Sequence, residues 1–356
     1  MPRPRRIAWV SVVAAAAVAA FVPRPASLVE RSYSQGAYPS IQAALTTASN
    51  TLPFAVFDLM LVAVVGLVCW WGRTAWRDRH RIGAVGALWT LTRRLVTLAA
   101  VAYLWFLGVW GLNYARPPIE QRLGFVAGAP TASDVRALLD EAVAHVNGLY
   151  VAAQAAMPSY DERADVAAQL HVVDLRLGRR VGTTPAVPKP TLLGPYFRMA
   201  GVDGLTAPAA LETLLNPDLT TAERPFTLAH EWAHLSGIGP EADANFVAWL
   251  ATQTPTAQPP TQYSGWLFLV SETAAQVTSE ARRASLAALA DGPRRDFAEI
   301  ARRQQSRVDL VERVGWRVYD SYLKSQGVGE GVRSYSRVVE LIVRSRRTPA
   351  RDAVPQ

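Results

Sequence analysis

Apolar positions along this 356-residue chain fall into two regimes. In the first third they run almost unbroken, and beyond Leu112 they recur at helical spacing among polar residues. Ile7–Val22 is 16 positions without a charge, preceded by Arg3, Arg5 and Arg6. Leu52–Trp71 is 20 positions interrupted only by Asp58, and Leu95–Leu112 is 18 positions with aromatics toward its end. About 20 apolar residues cross a bilayer, so the second and third runs predict transmembrane helices rather than core helices of a soluble protein. The first is short enough for a signal peptide. No clean small-x-small site follows it, so a retained helix is the expectation. Residues 1–112 thus read as a membrane anchor with helices over about 7–22, 52–71 and 95–112.

Residues 113–356 are enough for one sizeable domain. Ser133 and Asp134 look like a helix start, and Val135, Leu138, Leu139, Ala142, Val146 and Leu149 continue on one face. A second helix is predicted from about Glu162 to Arg179. Residues 181–226 are rich in Pro and Gly and read as loop with short extended pieces. Within them, Gly204–Asn216 is a candidate edge for pairing with a substrate backbone. Pro255, Pro259 and Pro260 mark another loop. Ser271–Arg344 is helical again, broken at Asp291-Gly292-Pro293 and at the Gly327–Gly331 turn. The expected fold class is mainly α: three N-terminal transmembrane helices, then a mostly helical domain with a small extended edge.

Composition sharpens this picture. With 50% hydrophobic and 19% charged residues, the chain is neither disordered nor a typical soluble globule. A net charge of +8 would suit a nucleic-acid partner. Its placement removes that reading. Residues 1–112 carry 11 Arg against Glu30, Asp58 and Asp78, whereas residues 113–356 carry 26 basic and 26 acidic side chains. Six arginines (Arg73, Arg77, Arg79, Arg81, Arg93, Arg94) lie between the second and third runs, in an expected loop from Gly72 to Arg94. Arg-rich loops stay in the cytoplasm, so the N-terminus is inside and everything beyond Leu112 is outside. The partner is then a lipid bilayer. Asp58 sits near the outer end of its run, where it reaches the interface or a neighbouring helix. The C-terminal arginines (Arg333, Arg337, Arg344, Arg346, Arg347, Arg351) read as a solvated face rather than a lipid contact. Cys69 is the only cysteine, which excludes an intrachain disulfide and a cysteine-based zinc cluster.

One pentapeptide carries chemistry. In His230-Glu231-Trp232-Ala233-His234 the histidines are four apart and share a helix face, with Glu231 beside them. Pro225 suits the first turn of such a helix and Gly237 its end. Two histidines still need a third protein ligand. The metzincin continuation, H-E-x-x-H-x-x-G, is kept as far as Gly237, but its third-ligand position is Pro240, which has no ligating atom. A gluzincin layout needs a glutamate on the next helix, and Glu241 supplies one in Glu241-x-x-Ala244-Asn245. This run resembles gluzincins, which usually have Asp where Asn245 stands and a longer connector. Asp243 is the rival third ligand.

More widely, the chain resembles a family of bacterial membrane proteins of unassigned function with an HExxH motif, regarded as candidate zinc metallopeptidases. The resemblance runs through YSQGAYP (Tyr33–Pro39), LPFAVFDL (Leu52–Leu59), WGLNYARPP (Trp110–Pro118), KPTLLGP (Lys189–Pro195), PFTLAHEWAH (Pro225–His234), EADANF (Glu241–Phe246) and Tyr322–Ile342. It implies a multi-pass protein of the bacterial cell membrane, with a zincin-like, extracytoplasmic domain over 113–356. It supplies no substrate. The family commonly has a basic or polar pair where this chain has Leu235-Ser236.

The expected chemistry is peptide hydrolysis, with Zn2+ held by His230, His234 and Glu241 and with Glu231 as general base. The substrate would be a peptide or protein. Tyr196, Tyr263 and His171 are oxyanion-donor candidates by residue type alone. The alternative is a non-catalytic membrane scaffold or binding protein with a structural or degenerate metal site. A fourth protein ligand such as Asp243 or His171 would favour it.

Overall fold

The computed structural model describes residues 3–126, 128–325 and 337–348. The Gly327–Gly331 turn, Arg333 and Arg351 lie outside these residues. The fold is mainly helical, as expected, with one small sheet. Helix α1 (Arg3–Phe21) is followed by a single turn, α2 (Ala26–Leu28), a π-helical stretch (Val29–Ala37) and α3 (Tyr38–Asn50). The long α4 (Val56–Val109) comes next, then a short 3-10 stretch (Gly111–Ala115), α5 (Ile119–Arg122), α6 (Ala132–Ala156) and α7 (Glu162–Arg176). Helix α8 (Gly194–Ala200) precedes strands β1 (Gly204–Ala207) and β2 (Glu212–Leu215). The rest is helical: α9 (Arg224–Leu235), α10 (Glu241–Thr252), α11 (Pro259–Ala274), α12 (Ser279–Ala287), α13 (Asp291–Gln304), α14 (Asp309–Ser325) and α15 (Arg337–Arg347).

Helix α4 corrects the expected anchor. The Arg-rich stretch from Gly72 to Arg94 is not a loop but the adjoining ends of two helical limbs, which carry the second and third apolar runs and together make up the 54 residues of α4. Arginine is a good helix former, so its charge does not interrupt the backbone. The break is a single residue, Gly83, at φ 76° and ψ 160°. Nothing lies within 4 Å of where its Cβ would be, so glycine is required there by conformation, not by space. The two limbs fold back on each other. Arg94, on the far side of Gly83, donates to Thr74 Oγ1 at 3.1 Å, although 20 residues of straight helix span about 30 Å. Among the described residues, α4 is the one continuous helix long and apolar enough to cross a membrane, and its apolar stretch is not buried within the protein. The first apolar run lies in α1, which packs on α4. It passes the same test only as a pair of segments, Ala8–Phe21 and Ala26–Asn50, bent by 110°.

The main core is built by α6, α7, α9, α10, α11 and α15, with Trp232, Leu228 and Leu235 of α9 fully enclosed. The chain does not divide cleanly at Leu112. Val29, Tyr33 and Tyr38, from between the first two apolar runs, are buried in this same core. Tyr38 donates its hydroxyl to the Leu235 carbonyl at 2.7 Å, at the end of α9. Two helices, α8 and α11, lie where loop was expected. Pro259 and Pro260 occupy the first turn of α11, where their missing N–H groups are harmless. Helix α11 is buried on several sides, so its apolar pattern lacks the period that marks a half-exposed helix.

Strands β1 and β2 form an antiparallel hairpin within the predicted Gly204–Asn216 stretch. Ala207 and Leu214 of this hairpin, Phe197 of α8 and Ala55 make a second, small core, against which Phe57 of α4 packs. Polar contacts fasten both ends of α4 to the domain. Glu212 accepts from the Val56 and Phe57 backbone N–H groups at 3.0 and 2.9 Å, placing a carboxylate at the positive end of the helix. Asp58 accepts from Thr191 Oγ1 and Leu192 N, each at 2.8 Å, so it is bound by the loop before α8. At the other end, Trp110 Nε1 donates to the His234 carbonyl at 3.0 Å.

Candidate metal centre

Helix α9 is set by its ends. Before it, Glu223 N donates to Thr220 Oγ1 at 3.3 Å and Thr220 N donates to Glu223 Oε2 at 3.0 Å, a reciprocal cap. Pro225 follows in the first turn. After it, Gly237 adopts φ 81°. Ile238 N then reaches Ala233 O at 3.2 Å, and Gly237 N reaches His234 O at 2.9 Å, the two bonds of a Schellman stop. A Cβ at position 237 would also lie 2.9 Å from Asn113 Oδ1. This reversal brings the Ile238 carbonyl onto His234, whose Nδ1–H donates to it at 2.8 Å. The bond fixes the ring and leaves Nε2 as the nitrogen that could ligate a metal.

His230 and His234 bring their Nε2 atoms to 3.1 Å. Pro240 starts α10 immediately after the stop, and Glu241 in its first turn comes back over α9. Glu241 Oε2 lies 3.2 Å from His230 Nε2 and 3.5 Å from His234 Nε2. Ligands 2.0–2.1 Å from a tetrahedral zinc ion stand about 3.3 Å apart. The triangle of 3.1, 3.2 and 3.5 Å therefore matches one face of such a tetrahedron. His230 Nδ1 is buried without a hydrogen-bond partner among the described residues. One helical turn beyond Glu241, Asn245 lines the same cavity as the triangle.

The charges support a cation here. Burial alone would raise the Glu241 pKa, yet the two imidazoles hold it well below the ordinary carboxylate value. Burial alone would lower His234, but Glu241 outweighs it and holds His234 up at about 9. A buried carboxylate thus requires positive charge beside it, which protons or a divalent ion can supply.

Glu231 lies next to the triangle without joining it. Its burial raises its pKa above the usual range. Thr206 of β1 has its hydroxyl 2.8 Å from Glu231 Oε2 and 2.7 Å from the Glu231 carbonyl. Gly204, also of β1, makes room for the carboxyl, because a Cβ there would stand 2.5 Å from Glu231 Oε1. His230, Glu231, His234 and Glu241 all line one cavity of about 730 Å³.

The other candidates are dispersed. Asp243 is not in the triangle; its Oδ2 accepts from Ile119 N at 3.3 Å, and burial raises its pKa to about 6. Tyr263 is committed to Asp296 Oδ2 at 2.6 Å, and His171 packs beside Gly182, away from the cavity. Of the three oxyanion candidates only Tyr196 lines the cavity. Sequence reasoning missed Thr206, Gly204 and Trp110 as supports of the site. Trp110 was legible only as the end of an apolar run. Glu272, near the end of α11, was not singled out as a site residue; it also lines the cavity, and burial raises its pKa to about 7.

Residues 33–343 match the family described as "Protein of unknown function (DUF3810)". The chain belongs to this family. No curated protein and no solved structure matches it. The DUF3810 region opens in the π-helical stretch and closes in α15, so it contains both α4 and the His/Glu triangle.

Proposed function

We propose that this DUF3810 protein is a membrane-anchored, zinc-dependent metallopeptidase acting outside the cytoplasm. The observation that carries the reading is the His230–His234–Glu241 triangle at zinc-ligand spacing, beside buried Glu231 and open to a large cavity. A zinc ion held there would polarise a scissile carbonyl and acidify water. Glu231, with its pKa raised by burial, is suited to take a proton from the attacking water and deliver it to the leaving amine. Thr206 holds that carboxyl in place. Strand β2 pairs with β1 on one side and bridges to Lys189 on the other, while β1 lines the cavity. An extended substrate can add to the β1 edge.

The rival reading, a scaffold with a structural metal site, needs a closed set of four protein ligands. Among the described residues the group has three members, and Asp243 and His171 lie outside it. The anchor reading rests on α4. Its arginines cluster around the Gly83 bend, and both ends of the helix bond to the domain carrying the triangle. A bend in the cytoplasm and two ends outside follow from the inside preference of arginine. Helix α1 would supply a third crossing.

The test uses the full chain, because residues 29–50 belong to the core around the site. Zinc content and cleavage of a peptide mixture are measured for wild type, Glu231→Gln and His234→Ala in detergent. Wild type and Glu231→Gln should each hold one zinc, and only wild type should cleave. Full cleavage by Glu231→Gln, or no zinc in wild type after loading, overturns the proposal.

A further inference from the structure

The cavity beside the triangle is walled by two elements that are themselves fastened to the outer ends of α4. On one side stand Phe106, Trp110 and Tyr114, at the end of the second limb of α4 and in the 3-10 stretch after it. On the other stand Leu193, Tyr196 and Phe197 around α8. The small core under α8 includes Phe57, and Asp58 bonds Leu192 N at 2.8 Å, so this second wall is tied to the start of the first limb. Trp105 Nε1 also reaches Ala209 O, in the hairpin loop after β1, at 3.0 Å. The metal triangle is therefore built directly on the membrane boundary.

Two observations fix the depth. The apolar run Leu95–Leu112, α-helical as far as Val109 and 3-10 from Gly111, covers roughly 27 Å, close to the hydrocarbon thickness, which puts Trp110 and Tyr114 at its outer edge. Trp and Tyr favour that interface. Trp110 is also in direct contact with the site, with its ring 6.3 Å from that of His234. Next to this edge the protein exposes large apolar side chains: Leu192 at 68%, Tyr196 at 39% and Met199 at 38%. An apolar rim of this kind is expensive in water and natural against lipid. The rest of the cavity wall mixes apolar side chains such as Phe226, Leu267 and Ile300 with charged ones, Asp203, Glu223, Arg307 and Glu312. One cavity thus offers aromatic groups beside the bilayer and charged groups on the domain side.

We infer that the substrate is a membrane-tethered polypeptide, cut within the first residues it extends beyond the bilayer. This rests on the peptidase reading and adds to it the class of substrate. Such a chain leaves an apolar environment and enters a polar one, as the walls do. Tethering in the same bilayer also replaces diffusion through solution with an effective concentration in the millimolar range. The reach is short: about ten residues of extended chain cover roughly 30 Å.

The experiment uses the zinc-loaded full-length protein in proteoliposomes. The probe is a 12-residue fluorescent peptide of mixed sequence. It is supplied either free or joined through spacers of 3, 10 or 25 residues to a 20-residue Leu/Ala membrane helix. The tethered forms should be cleaved at least tenfold faster than the free peptide at equal total concentration. Mass spectrometry should place the cuts within about ten residues of the membrane helix for every spacer. A photo-reactive p-benzoylphenylalanine replacing Phe106, in a Glu231→Gln background, gives a readout without turnover. It should crosslink the tethered peptide and not the free one. Equal cleavage of free and tethered peptides, or cuts that follow the reporter sequence at any distance, overturns the inference and leaves the peptidase reading standing. Crosslinking of the tethered peptide with no cleavage by wild type does the reverse. Neither cleavage nor crosslinking overturns both.

Discussion

Two buried clusters of ionisable groups flank the two ends of α4, and they are built in opposite ways. In the first, Glu212 accepts from Lys189 Nζ at 2.7 Å, Ser49 Oγ at 2.6 Å and two backbone N–H groups of α4. Lys189 also donates to the Ser49 carbonyl at 2.6 Å. Charge and hydrogen bonds are matched, and nothing is left for a ligand. In the second, three Lewis-basic atoms of His230, His234 and Glu241 converge within 3.5 Å of one another, and His230 Nδ1 has no hydrogen-bond partner among the described residues. Burial is common to both. Only the second needs added positive charge, from protons or a cation, and only it lines the cavity. A buried polar cluster that satisfies itself is a fastening; one whose acceptors face each other calls for added charge.

The sharpest way to separate the clusters is to neutralise one charged side chain in or beside each. Glu231→Gln should cost about 10³-fold in peptide cleavage while zinc content stays at the wild-type level, since general acid–base groups contribute about 10²–10⁴-fold. Thermal unfolding should change little, because the amide still accepts from Thr206. A stable variant that cleaves normally would show that the triangle has a binding role alone.

The fastening cluster should answer in stability instead. Lys189→Met leaves Glu212 buried without its counter-charge, which should destabilise the protein by roughly 3 kcal/mol with zinc content per folded chain unchanged. The pH dependence has a definite sign. Burial would raise the Glu212 pKa, but its bonds to Lys189, Ser49, Val56 and Phe57 hold it below 4.5. Its stabilisation is therefore present at neutral pH and is lost as pH falls from about 4.5 through the lower folded value. Unfolding midpoints between pH 3 and 7 check this, and an acid slope that persists in Lys189→Met would contradict it.

Glu272 sharpens the comparison from inside the cavity, because burial lifts its pKa from 4.5 to about 7 with no compensating group. Below pH 4.5 folded and unfolded chains are both protonated there. Between 4.5 and 7 the unfolded chain loses its proton first, so stability falls as pH rises, and above 7 the full cost of about 2–3 kcal/mol is present. Glu272→Gln should raise the unfolding midpoint at pH 8 and leave it nearly unchanged near pH 4.5. An equal gain at both pH values would mean that the charge is not what costs stability.

How much of this was legible in the chain differs by region, and the reasons are physical. The α9 site was readable because a four-residue spacing on a helix and the signals of Pro225 and Gly237 are all local. The mainly helical class was readable from periodicity. The one-residue bend at Gly83, with helix on both sides of it, was not, since charge reports side of the membrane and says little about backbone breaks; Gly83 is one of several glycines in that region. Helix α11 escaped notice because burial on several sides erases the amphipathic period, and α3 because the face it buries is mostly polar, with Gln42, Thr46 and Ser49. The contacts of Trp110 with His234 and of Tyr38 with Leu235 span 124 and 197 residues, and no local pattern announces them.

The third ligand is the case where local reasoning stopped one step short. Glu241 and Asp243 are both carboxylates in the first turn of α10, and residue type alone does not choose between them. Helix geometry does, because residues two apart point to different sides. Glu241 meets the imidazoles, and Asp243 turns to Ile119 N. Asp243→Asn should therefore leave zinc affinity within about twofold of wild type. Glu241→Gln should weaken it by more than the 10–100-fold typical of changes outside the ligand set. Competition with a zinc chelator on the full-length protein measures both. If Asp243→Asn weakened zinc as much as Glu241→Gln, the ligand triangle would have to be redrawn around Asp243, and the contrast between a cluster that calls for added charge and a satisfied one would lose its geometric basis.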